Sequence, residues 1–139
     1  MGITHVLNLT REIENVFENE DVSYLKIPVN DYTSSVISVF FKDCWEYLDN
    51  HAFGRFLVHC VLGRSRSCSI MVMYLMKKYR LSYQRASDIL AEKRMQAQIN
   101  LGFESQLLHF EENNWEFETN EDIKKKISED EFNMEKITK

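Results

Sequence analysis

The apolar positions along the chain predict strands that alternate with helices. A β-rich stretch runs from Ile3 to Thr10, and an alternating stretch runs from Ser23 to about Pro28. A short apolar run, Phe56-Leu57-Val58, is typical of a buried strand, and we expect it at the centre of the sheet. Because strands that alternate with helices form α/β sheets, the pattern predicts one small α/β domain with a central, mostly parallel sheet flanked by helices.

Four further segments have apolar residues at helical spacing. The second is apolar on nearly every side, so we expect it to be buried. In the fourth, Phe103, Leu107, Leu108 and Phe110 form the expected inward face. The four segments are 34–48, capped by Ser34 or Ser35; Cys68–Tyr79; a helix capped by Ser82 that ends near Lys93; and a helix capped by Asn100 that ends near Asn113.

A candidate nucleophile lies between the third strand and the second helix. Cys60 comes two residues after the end of the strand, and Arg66 and Ser67 follow after five intervening residues. A turn before a helix N-terminus binds anions, because free backbone N–H groups and the positive end of the helix dipole meet there. The same surroundings, together with Arg66, favour the thiolate form of Cys60. The alternative is a buried cysteine beside an ordinary helix cap.

Each residue type in this loop suits phosphate chemistry. The backbone N–H groups from residue 61 to Arg66 can form a nest around phosphoryl oxygens, and Gly63 permits the tight curl. Arg66 offers a planar fork for two oxygens, and Ser67 can donate a hydrogen bond to the departing sulfur. The predicted substrate-binding residues are Val61, Leu62, Gly63, Arg64, Ser65 and Arg66.

The sequence His59-Cys60-x5-Arg66-Ser67 resembles the signature of the cysteine-dependent protein tyrosine phosphatases. Its short form, without long insertions, resembles the dual-specificity branch of that superfamily. The resemblance covers about residues 2–112 and implies a catalytic domain over residues 1–113. It further implies hydrolysis of phosphotyrosine and of phosphoserine or phosphothreonine through a phospho-cysteine intermediate.

The same resemblance implies a general acid. The stretch Ile27-Pro28-Val29-Asn30-Asp31 is similar to the family's general-acid loop, so the role passes to Asp31. Such a carboxyl group would protonate the leaving oxygen and then draw a proton from the attacking water. Without the resemblance, Asp31 would be interpreted as a solvated turn residue or a helix cap.

Other side chains keep two interpretations. Arg64 either meets an acidic substrate or is simply exposed, and Asn100 is a helix cap in preference to a catalytic group. Cys44 and Cys68 are expected in the core, the alternative being a protective disulfide with an oxidised Cys60. We also expect the methionines of the second helix in the core.

Composition excludes several classes of protein. The chain has 139 residues, 44% of them hydrophobic, which is enough for one domain with a real core. It contains neither 18 consecutive apolar residues nor a signal-peptide pattern, so no membrane association is expected. Three cysteines without framework spacing suit a cytoplasmic protein, and no cofactor or metal site is predicted.

The negative charge is concentrated at the C-terminus. Residues 111–139 hold ten acidic and five basic side chains, a net charge of −5, whereas residues 1–110 hold twelve of each. The sequence has no stripe of basic residues, so a nucleic-acid partner is not predicted. Residues 114–139 therefore form either an acidic tail or a charged helix capped by Asn120, with Ile123 and Ile127 on one stripe.

The family's domains usually begin with one more strand and helix than this chain has. We therefore expect the strand near Ile3–Asn8 to lie nearer the sheet edge, unless another segment covers it. An uncovered edge predicts either a homodimer that pairs or swaps elements, or a C-terminal segment, 121–137, laid over the gap.

Three functions compete at this stage. A phosphatase acting on phosphoproteins ranks first, a phosphoprotein-binding module second, and a phosphatase for phosphoinositides or RNA ends third. Within the family, the stretch from Asn8 to Phe17 resembles Slingshot phosphatases, which act on phosphorylated cofilin. Val29-Asn30-Asp31 looks more like the kinase-inactivating members, so the natural substrate stays open.

Overall fold

The computed structural model describes residues 2–15, 21–51, 53–61, 65–93 and 98–125. The described residues include three strands, four named α-helices and a short 3-10 helix, Ser38–Phe40, which precedes the first α-helix. The element order matches the alternation that the sequence predicts, which confirms an α/β domain. The elements are β1 His5–Asn8, β2 Ser23–Lys26, α1 Phe41–Asn50, β3 Phe56–His59, α2 Arg66–Tyr79, α3 Tyr83–Lys93 and α4 Leu101–Glu112.

The sheet is parallel, with the order β2-β1-β3. β1 pairs with both neighbours, so His5 lies opposite Ser23 on one side and Phe56 on the other. The expectation that this strand lies nearer the edge, with the third strand central, is therefore wrong. β3 is an edge strand among the described residues, because only β1 pairs with it there.

Parallel pairing brings the carboxyl ends of the three strands to the same edge of the sheet. Loops leave this edge after Asn8, after Lys26 and after His59. The backbone N–H of Leu9 donates to the carbonyl of His59, and that of Ile27 donates to Asn8. These bonds hold the loops that contain the candidate site residues side by side.

The core forms where the helices pack on the sheet. Cys44, Cys68, Met73 and Met76 are fully buried, as expected, and all three cysteines are free thiols. The expectation for Leu108 is wrong, because its side chain is 40% exposed on the outer side of α4. Phe103, Leu107 and Phe110 fill the inward face instead.

Helix capping follows the sequence in two of the predicted cases. Ser82 Oγ accepts a hydrogen bond from the Arg85 backbone, and Asn100 Oδ1 accepts one from Phe103. The first helix differs, because the backbone from residue 32 to residue 37 is turn and coil and the α-helix begins only at Phe41. No side-chain cap forms there, so the cap expected at Ser34 or Ser35 is not found.

A segment beyond α4 packs on the domain. We call residues 114–125 the C-terminal strap. Trp115 Nε1 donates to the carbonyl of Leu81, and the ring of Phe117 stacks on Phe110 with centroids 5.8 Å apart. At its end, a helical turn is capped by Thr119 rather than by Asn120, since Thr119 Oγ1 accepts from the Asp122 backbone.

The strap does not cover the open edge of β3. Its Ile123 lies beside a cavity of about 430 Å³ whose walls include Pro28 and Val29. The cavity beside β3, about 350 Å³ and lined by Leu57 and other apolar residues, contains no strap residue. The rest of the predicted covering segment, residues 126–137, lies outside the described residues.

No helix in the described ranges is both long enough and apolar enough to span a bilayer.

Candidate active site

Cys60 lies where β3 gives way to α2, at the carboxyl edge of the sheet. Its side chain is 8% exposed, and its Sγ atom is 3.3 Å from Ser67 Oγ. The backbone N–H of Ser67 donates to the same sulfur at 3.4 Å. Ser67 is the second residue of α2, so the sulfur receives an N–H that the helix itself leaves unused. A thiolate here would have a hydroxyl and a helix N-terminus to stabilise it.

Arg66, the first residue of α2, is buried and points back toward two other loops. Its Nη1 donates to the carbonyl of Val29 and to Glu12 Oε1, both at 2.8 Å. Nη2 donates to Glu12 Oε2 at a longer 3.4 Å. Nε is buried and has no hydrogen-bond partner among the described residues. The edge formed by Nε and the second N–H of Nη2 can therefore receive two oxygens of a phosphoryl group.

Asp31 lies on the exposed loop after β2, two residues beyond the carbonyl that Arg66 binds. Its Oδ1 accepts a hydrogen bond of 2.7 Å from Asn100 Nδ2. The Asn100 backbone N–H in turn donates to Ser65 Oγ at 3.0 Å. A chain of two hydrogen bonds thus joins the Asp31 loop to the end of the Cys60 loop.

Asn100 therefore does more than the capping expected of it. While its Oδ1 caps α4, its amide nitrogen orients the Asp31 carboxyl group, so capping and site roles belong to one side chain. The sequence offered no means of distinguishing these roles, because both need the same asparagine before the same helix.

Of the predicted substrate-binding residues, Ser65 is buried and Val61 is exposed. Leu62, Gly63 and Arg64 lie outside the described residues. The His59 side chain has no hydrogen bond to another described residue, and burial lowers its pKa. It lies beside a cavity of about 220 Å³ with Val6 and Tyr24.

Glu12 is the site residue that sequence reasoning missed. It follows β1 in a turn, and the hydrogen bond from Arg66 lowers the pKa of its carboxyl group. Its place was predictable in principle, because β1 runs parallel to β3 and their following loops must leave the same edge. Nothing in the spacing from Glu12 to Arg66, however, indicates that the two side chains meet.

Among the described residues, no group of three or more His, Cys, Asp or Glu side chains is arranged to hold a metal ion.

Comparison with known proteins gives a consistent result. Residues 1–113 match the family model for the dual specificity phosphatase catalytic domain. Human dual specificity protein phosphatase 9 is 40% identical over 114 residues, which are 80% of this chain and 30% of that protein. The chain thus spans less than a third of the length of this curated relative.

Solved structures agree in fold. The crystal structure of DUSP15 has a TM-score of 0.74 and 31% identity, covering 78% of this chain and 70% of that one. Human tyrosine phosphatase-like serine/threonine/tyrosine-interacting protein has a TM-score of 0.75 and 28% identity, covering 83% of this chain and 80% of that one. The family match, the shared fold and the assembled Cys60, Arg66 and Ser67 lead to one conclusion: the chain belongs to the dual specificity phosphatase family.

Proposed function

We propose that the protein is a phosphatase that hydrolyses phosphotyrosine and phosphoserine or phosphothreonine in other proteins. One observation carries the proposal: one edge of the buried Arg66 guanidinium has no partner among the described residues. Arg66 directly precedes Ser67, whose backbone N–H donates to the Cys60 sulfur. A buried cation with unused donors at a helix N-terminus is suited to a dianionic phosphoryl group.

In the first step, Cys60 Sγ attacks phosphorus and forms the S–P bond while the P–O bond to the leaving group breaks. Asp31, protonated, gives its proton to the leaving oxygen. Arg66 binds two phosphoryl oxygens, and the nest of backbone N–H groups that the sequence predicts between Cys60 and Arg66 is assigned to the remaining charge. Asn100 supports the Asp31 role by holding one carboxyl oxygen, which leaves the other oxygen for the proton.

In the second step, water attacks the phospho-cysteine, and the Asp31 carboxylate takes a proton from that water. The S–P bond breaks, inorganic phosphate forms, and Cys60 returns to its thiolate. Ser67 eases this departure, because its hydroxyl and backbone N–H can both donate to the developing charge on sulfur.

A phosphoprotein-binding module is the second candidate, and one protein of similar structure is named a tyrosine phosphatase-like interacting protein. The presence of Cys60, Arg66 and Asp31 favours catalysis over binding alone. A phosphatase for phosphoinositides or RNA ends ranks third, because Arg64 is the only other basic residue of the loop.

We also propose the bounds of the catalytic domain and the cellular location of the protein. We assign the catalytic domain to residues 1–113 and an acidic C-terminal extension to residues 114–139. The three free thiols support a reducing, cytoplasmic location. The cofilin-directed and kinase-directed alternatives for the natural substrate both lie within this proposal.

A single screen tests the proposed function. The purified protein is assayed for phosphate release from phosphotyrosine, phosphoserine and phosphothreonine peptides, from phosphoinositides and from capped RNA, with Cys60→Ser as the matched control. We expect release from the peptides and none with Cys60→Ser. Binding without release would support the second candidate, and release only from the lipids or the RNA would support the third.

A further inference from the structure

The inference concerns Glu12 and rests on the proposed function. Of the five N–H groups of the Arg66 guanidinium, three donate to described residues and two have no partner among them. Nη1 uses both of its N–H groups, on Val29 and on Glu12, and Nη2 uses one on Glu12. The remaining pair belongs to Nε and Nη2. Glu12 thus occupies one edge of the fork and leaves the other edge unused.

Hydrogen bonds from buried side chains hold the Glu12 loop in place. Asn8 and Thr10 are fully buried, and Asn8 Oδ1 accepts hydrogen bonds from both the backbone N–H and the hydroxyl of Thr10. Asn8 Nδ2 donates to the carbonyl of Ile13, and the Ile13 N–H donates to Thr10 Oγ1. These bonds span Glu12 on both sides, so the turn that carries the carboxylate is fixed to the end of β1.

Burial explains why such a partner matters. The Arg66 side chain is 4% exposed, whereas that of Glu12 is 53% exposed. A buried guanidinium without hydrogen-bond partners would be costly, and its long side chain would have several rotamers available. An anchored carboxylate on one edge restricts the Arg66 side chain to one rotamer. It also stabilises the buried guanidinium charge before a phosphoryl group binds.

We propose that Glu12 is a positioning residue for Arg66. Its carboxylate, together with the Val29 carbonyl, fixes the guanidinium so that the edge formed by Nε and Nη2 is presented to the phosphoryl oxygens. Glu12 does not itself touch the substrate. Its effect on the reaction passes through Arg66, so it depends on the guanidinium being present.

A double-mutant cycle tests this dependence. Glu12→Ala and Arg66→Lys are made singly and together, and kcat/KM is measured with a small aryl phosphate. We expect Glu12→Ala to lower kcat/KM about tenfold, mainly through kcat, and to have an effect of less than about twofold when Arg66 is already lysine. Equal effects in both backgrounds would overturn the proposal.

Glu14→Gln is the matched control. Glu14 lies on the same loop and is exposed, and it has no hydrogen bond to Arg66. The Glu14→Gln substitution removes one negative charge, as Glu12→Ala does, at a position two residues away. We expect its kcat/KM to stay within about twofold of the wild type, because only contact with the guanidinium should matter. A loss as large as that of Glu12→Ala would show a charge effect and would overturn the positioning role.

A second readout does not depend on turnover. The N–H resonance of Arg66 Nε is identified in a nitrogen-proton correlation spectrum by its loss in Arg66→Lys. In the wild type and in Glu14→Gln we expect a protected signal. In Glu12→Ala we expect exchange with water to speed up at least about tenfold, because the side chain loses its anchor. An unchanged rate would contradict the proposal.

The two readouts separate this inference from the function on which it rests. A wild-type protein that releases phosphate from no ester, but whose Nε–H signal depends on Glu12, would refute the phosphatase and keep the positioning. An active enzyme without coupling and without the spectral change would keep the phosphatase and refute the positioning.

Discussion

Arg66 is the residue at which three loops of the chain meet. It is the first residue of α2 and directly precedes Ser67, whose backbone N–H donates to the Cys60 sulfur. Its side chain donates to Glu12 and to the carbonyl of Val29, two residues before Asp31. The Arg66 side chain therefore connects α2 to the Glu12 loop and to the segment that leads to Asp31. Removing its planar fork removes these contacts together with the predicted phosphoryl-binding edge.

Replacing Arg66 by lysine should abolish most of the activity. The charge stays, but one ammonium group cannot bind two phosphoryl oxygens while it also binds Glu12 and Val29. We expect kcat/KM for an aryl phosphate to fall by at least roughly two orders of magnitude. Steady-state kinetics measures this loss, and near wild-type activity would contradict bidentate binding.

Replacing Asp31 by asparagine should make the rate depend on the leaving group. The amide keeps an oxygen to accept from Asn100, but it has no proton to give. We expect esters with basic leaving groups to slow far more than those whose leaving groups need no protonation. A series of aryl phosphates measures this dependence. A uniform loss across the series would indicate a structural role for Asp31.

Among single residues, the sequence predicts site residues best when they lie close together along the chain. Cys60, Arg66 and Ser67 lie within one short stretch, so local geometry already limits where their atoms lie. Glu12 is 54 residues from Arg66, and only the sheet order brings the two together. A single sequence gives no register between distant loops, which explains why that contact was missed.

At the scale of elements, the N-terminus of α4 fixes the loop that contains Asp31. Gly102 packs so closely on this loop that a side-chain carbon at its position would collide with the carbonyl of Thr33. Asn100, two residues earlier, holds Asp31 itself. Helix packing and a hydrogen bond thus act on the same loop from the same turn.

Replacing Gly102 by alanine should displace the Asp31 loop. The added methyl group has no space, and the obstacle is backbone rather than the end of a flexible side chain. We expect unfolding free energy to fall by roughly 1–3 kcal/mol, with a loss of activity. Denaturant unfolding measures the first effect. Gly2→Ala is the matched control, since nothing lies within 4 Å of the added carbon there; equal stability of the two variants would contradict the packing.

Element boundaries were predictable where a cap decides them. Ser82 and Asn100 start their helices as expected, because their oxygens satisfy N–H groups of the first turn. The predicted start of α1 was wrong, because residues 32–37 form turn and coil instead of helix. Gln106 Nε2 donates to the carbonyl of Ser35, a tertiary contact that local sequence does not reveal.

For the whole molecule, the C-terminal strap and the open edge of β3 are separate features. The strap packs on the helices through Trp115 and Phe117, and Lys77 Nζ donates to the Trp115 carbonyl. The expected covering of the sheet edge is not seen in the described residues. Exchange or pairing with a second copy stays a prediction.

Removing residues 115–139 should therefore destabilise the fold. It should not change whether the protein is a monomer or a dimer if two copies associate through the edge of β3. The truncated chain loses the Trp115 hydrogen bond and the Phe117 stacking, so we expect roughly 1–3 kcal/mol lower stability. If β3 edges pair, light scattering gives a dimer for both lengths. A dimer that dissociates on truncation would show that the C-terminal segment makes the contact, and an unchanged unfolding midpoint would contradict the packing of the strap.

The overall account depends on Cys60 as the covalent nucleophile. The most direct measurement is a reaction with an aryl phosphate, stopped rapidly with acid and analysed by mass spectrometry for phosphate on the peptide that contains Cys60. The account predicts that adduct in the wild-type protein, and neither adduct nor turnover in Cys60→Ser. Turnover that persists in Cys60→Ser, free of wild-type protein, would contradict it.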